Sequence, residues 1–196
     1  MYKNFGKRVF DIVSSLIGLI LLSPLFIIIS IMIKLDSKGS IFYTQERITK
    51  DFKPFKLFKF RSMRSDSQGL SITSADDNRI TKIGKFIRKT KIDELPQLLN
   101  VLIGDMSLVG PRPEVAKYVD IKKDEYKRVL EVKAGITDNS AIAFRDEEKI
   151  LAQYDDKERA YIDIILPQKI ALYNQYIDNI SLKNDIILIL KTLKVL

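Results

Sequence analysis

Two residue types are missing from this sequence, and each absence excludes a class of chemistry. The 196 residues include no cysteine and no histidine. Without cysteine there is no disulfide framework, thiolate zinc site, iron–sulfur cluster or cysteine nucleophile. Without histidine there is no serine–histidine triad and no imidazole general base, and most zinc enzymes are excluded. Acids, nucleophiles and metal ligands must therefore be sought first among Asp, Glu, Lys, Tyr, Ser and Thr.

The charge balance favours an anionic partner. The chain has 33 Lys and Arg against 25 Asp and Glu, which gives a net charge of +8, and its isoelectric point is about 9.5. Such a surface suits nucleic acid, an anionic membrane or a phosphorylated substrate. The length suits one domain. Composition alone does not choose among the three partners.

An uncharged, mostly apolar stretch runs from residue 12 to residue 33. Its roughly 22 residues would be long enough, as a helix, to cross a hydrocarbon core about 30 Å thick. The stretch exceeds a signal-peptide core and no small-residue cleavage site follows it, so we expect a membrane-embedded segment of the mature protein. Ser23-Pro24 lies at its centre, and proline removes a helical hydrogen bond. Basic residues flank both ends, and two interpretations remain open: a re-entrant helix-break-helix, or a spanning helix with a tolerated kink.

Three charged residues, Lys7, Arg8 and Asp11, lie just before this stretch. Asp11 is four residues after Lys7 and three after Arg8. On a helix this spacing predicts ion pairs at the membrane boundary.

The rest of the chain predicts an α/β fold with a small sheet surrounded by amphipathic helices. The expected hairpin joins strands at 41–48 and 55–60 through a turn at 51–54, and a polar surface loop follows at 62–78. Periodicity predicts helices at 79–89, 95–103, 122–132, 144–154 and 161–179, with a connector at 134–137. Pro167 either kinks or starts the last of these. The segment 181–196 fits either a membrane-surface helix or a helix packed on the core.

Asp93 and Glu94 form the most suggestive pair for chemistry. They lie where the helix at 95–103 should begin, in its first turn, with Pro96 tolerated there. Ordinary helix capping would also explain them. Adjacent carboxylates suit Mg²⁺ held together with substrate phosphates, and an ionised carboxylate can act as a nucleophile that forms an acyl phosphate.

Three cations could accompany these acids. Arg88 precedes the pair by five residues, and Arg112 is fixed between two prolines, where a rigid guanidinium suits a phosphate. Lys59 lies on the second predicted strand and could add a further charge. The alternatives are an exposed arginine in a turn and a solvated strand lysine.

A series of motifs resembles the bacterial sugar transferases, also called monotopic phosphoglycosyl transferases. In order, they are Lys7-Arg8-x-x-Asp11, Ser23-Pro24, Phe58-Lys-Phe-Arg61, Asp93-Glu-Leu-Pro-Gln97, Asn100-Val, Gly104-Asp-Met-Ser107 and Val109-Gly-Pro-Arg-Pro113. They cover most of residues 1–115. After about residue 130 the likeness weakens, because Ala134-Gly-Ile-Thr-Asp-Asn-Ser140 and Phe144-Arg-Asp-Glu-Glu148 replace the Pro-Gly-Ile-Thr-Gly-x-Ala-Gln-Val pattern of many members.

The resemblance implies an enzyme on the cytoplasmic face of the bacterial inner membrane. Residues 1–36 would form a re-entrant membrane helix broken at Ser23-Pro24, and residues 37–196 the cytoplasmic catalytic domain with membrane-surface helices. The reaction would move a sugar-1-phosphate from a UDP-sugar to a polyprenyl phosphate and release UMP, to initiate glycan assembly.

The resemblance also implies roles for the site residues. Asp93 would attack the β-phosphate and carry the phosphosugar covalently, and Glu94 would complete the dyad. Mg²⁺ would be held by Asp93 and Glu94, bridging to the diphosphate. Arg88, Arg112 and Lys59 would hold phosphate oxygens.

Other functions remain as alternatives. A catalytically inert membrane scaffold would use both acids as helix caps. Nucleic-acid binding is disfavoured, because the aromatic residues between 53 and 61 fit a strand core and no nucleic-acid motif is present. The sugar, the polyprenol and self-association are left open.

Overall fold

The computed structural model describes residues 2–64 and 78–195, and within them the expected α/β class is confirmed. Most of the predicted 62–78 loop lies outside the described residues. The strands are β1 (Phe42–Thr49), β2 (Lys53–Phe60), β3 (Met106–Val109) and β4 (Ala134–Thr137). The helices are α1 (Lys7–Asp36), α2 (Lys82–Lys89), α3 (Gln97–Ile103), α4 (Ala116–Ile121), α5 (Lys123–Val129), α6 (Asn139–Ala143), α7 (Glu147–Leu151), α8 (Lys157–Ala160), α9 (Leu166–Asp178) and α10 (Leu182–Val195).

The predicted hairpin is confirmed as β1 and β2, which pair antiparallel from Phe42 opposite Phe60 to Thr49 opposite Lys53. A 3₁₀ turn, Lys50–Phe52, joins them. A second pair was not predicted: β3 and β4 run parallel, with Val109 opposite Thr137. The expectation of a connector at 134–137 was therefore wrong. Strand β4 has only four residues, which is too short for an alternation of apolar and polar residues to be recognised in the sequence.

The helix predictions differ in accuracy. The 79–89 helix is α2, which begins after Thr81, whose Oγ1 accepts a hydrogen bond from the Gly84 amide at 2.9 Å. The 95–103 helix is α3, which ends at Gly104 with a φ of 104°. Pro167 is the second residue of α9, and a π-helical turn, Tyr161–Ile165, leads into α9 without a gap, so Pro167 lies within a continuous helical segment and does not start it. The predicted 144–154 helix is shorter and consists of α7 alone.

Helix α1 is long and apolar enough to cross a membrane, by length and composition. Its most apolar window has a mean hydropathy of 2.9, and 11% of that window is buried. The helix runs without interruption through Ser23-Pro24. Pro24 cannot donate to the carbonyl of Ile20, and the Ser23 hydroxyl donates to that oxygen instead, at 2.8 Å. Pro24 thus removes one helical hydrogen bond, and Ser23 replaces it with a side-chain hydrogen bond to the same carbonyl.

Both ends of α1 contact the same domain. Near the N-terminal end, Asp11 accepts hydrogen bonds from the Ser107 hydroxyl and the Leu108 amide, each at 3.0 Å. Near the C-terminal end, Ile29 and Ile33 are buried in the cluster that contains Phe60 of β2 and Ile87 of α2. Apolar side chains between these contacts are exposed; they include Leu16, Ile17, Ile20, Leu21, Ile27, Ile28 and Ile31. Helix α1 therefore has an exposed apolar face between two regions, one near each end, that pack against the domain.

The predicted pairing of Lys7 and Arg8 with Asp11 was wrong. Lys7 forms an ion pair with Asp185 of α10, at 2.6 Å. Arg8 donates to the carbonyls of Val101 and Leu102 at 2.6 and 2.9 Å. These carbonyls lie in the last turn of α3 and have no partners within that helix. Tertiary partners therefore outcompete the local i+3 and i+4 pairs.

The C-terminal helix α10 combines both interpretations of residues 181–196. Asp185 and Leu188 are buried against the domain. Ile186, Leu190 and Leu193 remain exposed. One face of α10 is thus a core face, and another is apolar and open.

Candidate active site

Asp93 and Glu94 lie in a 3₁₀ turn, Ile92–Glu94, that leads into α3. The expectation that they occupy the first turn of α3 was wrong, because Pro96 precedes the first residue of that helix. Lys91, with a φ of 56°, reverses the chain between α2 and this turn. The turn buries Asp93 to 6% exposure and leaves Glu94 partly buried.

Strand β2 brings Lys59 to the carboxylates. Its Nζ lies 3.0 Å from Oε1 of Glu94. Asn100 of α3 fixes this register, because its Oδ1 accepts from the Phe58 amide at 2.9 Å and its Nδ2 donates to the Lys56 carbonyl at 2.7 Å. The fully buried Asn100 side chain therefore links β2 to α3.

Strand β3 places Arg112 opposite Glu94. Arg112 Nη1 donates to Glu94 Oε2 at 3.0 Å, and Nη2 donates to Oε1, so the pair is bidentate. The turn that carries Arg112 lies directly on β4, because Gly135 donates its amide to the Pro111 carbonyl at 2.8 Å. A Cβ on Gly135 would lie 2.1 Å from the Gly110 nitrogen. The two glycines are thus required for this close approach.

The surroundings give the two carboxylates opposite pKa shifts. Burial would raise the pKa of Glu94, but the positive charges of Arg112 and Lys59 and their hydrogen bonds hold it well below the usual range. Burial, and then the charge of Glu94, raises the pKa of Asp93 to about 6. The Glu94 charge in turn raises the pKa of Arg112. Glu94 is therefore a fixed anion within a cationic clamp.

Arg88 is near the dyad but bonded elsewhere. The positive charge of Arg88 opposes the rise in the pKa of Asp93, so the two groups interact electrostatically. Its Nη2 lies 2.5 Å from Oε1 of Glu148 on α7. Of the three predicted cations, Lys59 and Arg112 contact Glu94, and Arg88 contacts a residue that sequence reasoning did not single out. The only sequence signal for Glu148 is the acidic run at 146–148.

A buried polar network that sequence reasoning missed supports the Arg112 turn. Glu114, two residues after Arg112, accepts from Arg47 Nη1 at 3.0 Å and from the Tyr161 hydroxyl. Lys169 of α9 donates to Tyr161 at 3.2 Å and to Glu147 at 3.0 Å. The partners are up to 67 residues apart in the chain, so no local pattern indicates them.

Asp138 follows β4 at the edge of the sheet where Arg112 follows β3. Its Oδ1 accepts from the Ser140 hydroxyl at 2.9 Å and from the Ala141 amide at 2.8 Å. Its Oδ2 is buried without a hydrogen-bond partner. Burial raises the pKa of Asp138 to about 6, although these hydrogen bonds and the charges of Lys169 and Arg112 oppose the shift.

The oxygens of the two carboxylates differ in whether they have hydrogen-bond partners. Oδ1 of Asp93 is buried without a hydrogen-bond partner, whereas both oxygens of Glu94 are bonded to cations. Among residues 2–64 and 78–195 there is no cluster of three or more acidic ligands that could hold a metal. The donor set thus fits an ion such as Mg²⁺ that takes one carboxylate and completes its shell with phosphates and water.

Comparisons with known proteins identify relatives of this chain. An Aeromonas hydrophila protein named UDP-N-acetylgalactosamine-undecaprenyl-phosphate N-acetylgalactosaminephosphotransferase is 36% identical over 202 residues, which cover 97% of this chain and 43% of that protein. The undecaprenyl-phosphate galactose phosphotransferase of Salmonella typhimurium is 38% identical over 209 residues, which cover 98% and 40%. The UDP-glucose:undecaprenyl-phosphate glucose-1-phosphate transferase of Escherichia coli is 41% identical over 140 residues, which cover 67% and 29%.

The chain thus spans less than two thirds of the length of these relatives, and their names specify three different sugars. The profile of the family described as bacterial sugar transferase matches residues 2–196, which include the Asp93-Glu94 turn, the Arg112 turn and α1. This chain therefore belongs to the bacterial sugar transferase family.

Proposed function

We propose that the protein transfers a sugar-1-phosphate from a UDP-sugar to a polyprenyl phosphate, undecaprenyl phosphate in particular, and releases UMP. The observation that carries the proposal is a buried carboxylate, Asp93, with an unpartnered oxygen beside a Glu94 held by two cations. The names of the relatives support the same class of donor and acceptor. The product would initiate assembly of a bacterial glycan.

Asp93 is the nucleophile in this proposal. One of its carboxylate oxygens attacks the β-phosphorus, the bond from that phosphorus to the oxygen shared with the α-phosphate breaks, and UMP leaves with the electron pair. The phosphosugar is then held on Asp93 as an acyl phosphate. In the second step a phosphate oxygen of the polyprenyl phosphate attacks the same phosphorus. The acyl phosphate bond breaks, Asp93 is regenerated, and a polyprenyl-diphosphate-sugar is formed.

Three cationic side chains reduce the electrostatic repulsion between the substrate diphosphate and the two carboxylates. A diphosphate must approach two carboxylates, and the guanidinium and ammonium groups of Arg88, Arg112 and Lys59 offset the negative charge that gathers there. Glu94 orients Arg112 through two parallel hydrogen bonds, so the clamp exists before the substrate arrives. Such preorganisation lowers the cost of reaching the transition state.

Mg²⁺ is the cofactor that we propose, and it would supply charge neutralisation of the diphosphate. Asp93 is the dyad member with a carboxylate oxygen that has no hydrogen-bond partner. Glu94 would enter the coordination shell only by giving up a hydrogen bond to Arg112 or Lys59.

We also propose that α1, which is continuous through Ser23-Pro24 in the structure, breaks there in the membrane and is re-entrant, and that the domain lies on the cytoplasmic face of the inner membrane. Two observations support one-sided placement. Asp11 and Ile33, near opposite ends of α1, contact the same domain, and the side chains between them expose an apolar face. The exposed apolar residues of α10 would add a surface contact with the headgroups.

The activity is tested by UMP release from a panel of UDP-sugars, with and without undecaprenyl phosphate. We expect one donor to give turnover that requires the lipid and stops when Mg²⁺ is chelated. Asp93→Asn should reduce the rate by at least about 10³-fold. No UMP release from any donor by a folded, membrane-inserted protein would favour the inert scaffold. Near-normal turnover by Asp93→Asn would contradict the nucleophile assignment.

The membrane arrangement is tested by cysteine labelling. Since the chain has no cysteine, Lys3→Cys and Ser40→Cys each create a unique label near one end of α1. A membrane-impermeant maleimide should reach both positions from the cytoplasmic side only. In Pro24→Ala, which restores the missing amide donor, a fraction of the Lys3→Cys label should move to the other side. Labels on opposite faces in the unaltered helix would show that α1 spans, and unchanged labelling in Pro24→Ala would show that proline does not cause re-entry.

A further inference from the structure

The ion pair between Arg88 and Glu148 differs from the other contacts of the proposed phosphate-binding cations. The Arg88 and Glu148 side chains are 25% and 46% exposed, and their closest atoms are 2.5 Å apart. In contrast, Glu94, which holds Lys59 and Arg112, is 14% exposed. Exposed ion pairs contribute little because water solvates both partners well. Arg88 is therefore the cation whose present partner is lost most easily.

Glu148 is also placed so that it can leave without disturbing its surroundings. Its neighbour Glu147 is held by Lys169, a 5%-exposed lysine of α9, at 3.0 Å. Lys169 also donates to Tyr161, which in turn binds Glu114. Glu147 therefore anchors the start of α7 to the buried network, whereas a change of side-chain rotamer is enough to separate Glu148 from Arg88.

The charges around the site explain why Glu148 should separate from Arg88 when a diphosphate binds. The carboxylates Asp93, Glu94 and Glu148 are accompanied by Lys59, Arg88 and Arg112, and Lys91 also acts electrostatically on Asp93. A diphosphate brings further negative charge to this place, so a carboxylate that remains on Arg88 both repels it and occupies the guanidinium. An arginine binds a phosphate through charge-assisted, often bidentate hydrogen bonds, which are stronger than those of an exposed ion pair.

We propose that Glu148 occupies Arg88 in the donor-free enzyme and is displaced by a phosphate of the sugar nucleotide, so that Glu148 sets the affinity for the donor. This inference rests on the proposed function, because it takes Arg88 as a phosphate ligand. It assigns a role to the segment at 144–148, where the sequence departs from the common family pattern. Glu148 acts through Arg88 and touches neither the donor nor the reacting atoms, so it is a positioning residue.

The test is Glu148→Gln in the full chain, with UDP as the binding probe and the turned-over UDP-sugar for kinetics. If the pair is closed in about 70–90% of donor-free molecules, its removal tightens binding about 3- to 10-fold, because the competent fraction rises accordingly. We expect the dissociation constant for UDP and the KM to fall by this factor while kcat changes less than about twofold. Asp178→Asn, which breaks the exposed ion pair with Arg128, is the matched control and should change neither.

A double-mutant cycle makes the result specific. In an Arg88→Gln background, Glu148→Gln should have no further effect on UDP binding, since the group for which it competes is gone. Unchanged or weaker UDP binding by Glu148→Gln alone would overturn the inference. Failure of the proposed function looks different: the unaltered protein would then neither bind UDP nor release UMP, whatever residue is at position 148.

Discussion

Asp93 and Glu94 show, at the scale of single residues, how adjacent carboxylates acquire different roles. Glu94 has hydrogen bonds from Arg112 and Lys59 that stabilise its charge, whereas Asp93 is buried with one oxygen unpartnered. Pairs of acids whose surroundings separate their pKa values are typical of sites in which one acid reacts and the other holds charge. The role of each therefore follows from the partners that the fold brings to it.

The two isosteric amides should accordingly have unequal effects on stability. Glu94→Gln leaves Arg112 and Lys59 without their anion, and we expect it to lower the free energy of unfolding by about 3–5 kcal/mol. Asp93→Asn removes a buried charge and should lower stability by less than about 1 kcal/mol or raise it. Chemical unfolding in detergent at pH 7 without Mg²⁺ compares them. A greater loss of stability in Asp93→Asn would contradict this assignment of charges.

Asp138 should make stability depend on pH. Its pKa is raised from about 3.8 to about 6 in the folded protein, so the fold favours the protonated form. The folded state then holds more protons than the unfolded state between these pH values, and the contribution of Asp138 to stability is lost as the pH rises from about 4 to about 6. Asp138→Asn, which retains a capping side chain, should gain on the order of 1–3 kcal/mol relative to the parent protein between pH 4.5 and pH 7.5. Unfolding curves of both proteins across this range measure the gain. A difference that is independent of pH would show that Asp138 is charged throughout.

At the scale of elements, the site depends on three short segments: the end of β2, the turn before α3 and the turn after β3. The close approach of Gly110 and Gly135 sets the position of the last of these. Arg112 follows directly, so its guanidinium is placed by backbone contact with β4.

Gly135→Ala should therefore impair catalysis by displacing the turn that carries Arg112. Its Cβ would lie 2.1 Å from the Gly110 nitrogen, which is backbone and must shift. A displacement of Arg112 by about 1 Å can reduce kcat about 10²-fold. Gly18→Ala is the control, because its Cβ would meet only the flexible end of Leu98, at 3.3 Å. UMP release measures both variants, and normal turnover by Gly135→Ala would show that β4 does not position Arg112.

The elements also show what a sequence can and cannot predict. The β1–β2 hairpin and helices α2 and α3 depend on local periodicity and turns, and these predictions are confirmed. The β3–β4 pair was missed because its strands have four residues each and lie about 25 residues apart. The motifs placed Asp93, Glu94 and Arg112 in the candidate site. The contact of Arg88 with Glu148, 60 residues away, has no local signal.

At the scale of the whole molecule, the two ends of the described chain meet. Asp185 of α10 is fully buried and accepts hydrogen bonds from Lys7 and Tyr2 at 2.6 Å each, and from Tyr176 at 2.8 Å. The start of the apolar helix α1 is thereby tied to the corner between α9 and α10. Helix α1 and the rest of the described chain are thus parts of one packed unit.

Asp185→Ala should loosen this tie. It leaves a lysine and two tyrosines without their acceptor, and we expect a loss of about 3–5 kcal/mol. A fall in the melting temperature in detergent would report the loss. Asp124→Asn, at an exposed ion pair with Lys127, is the control and should leave the melting temperature unchanged. An equal melting temperature for Asp185→Ala and the parent protein would show that α1 and α10 are not coupled through Asp185.

The central claim is that Asp93 carries the phosphosugar. The most direct measurement mixes the full chain with a UDP-sugar labelled in the sugar, with Mg²⁺ and without polyprenyl phosphate, and identifies the labelled peptide by mass spectrometry after proteolysis. We predict release of up to one equivalent of UMP, together with a phosphosugar adduct on the peptide that contains Asp93. Undecaprenyl phosphate should discharge the adduct, and Asp93→Asn should not form it. UMP release that strictly requires the lipid, with no adduct on an active enzyme, would contradict the claim and indicate direct transfer.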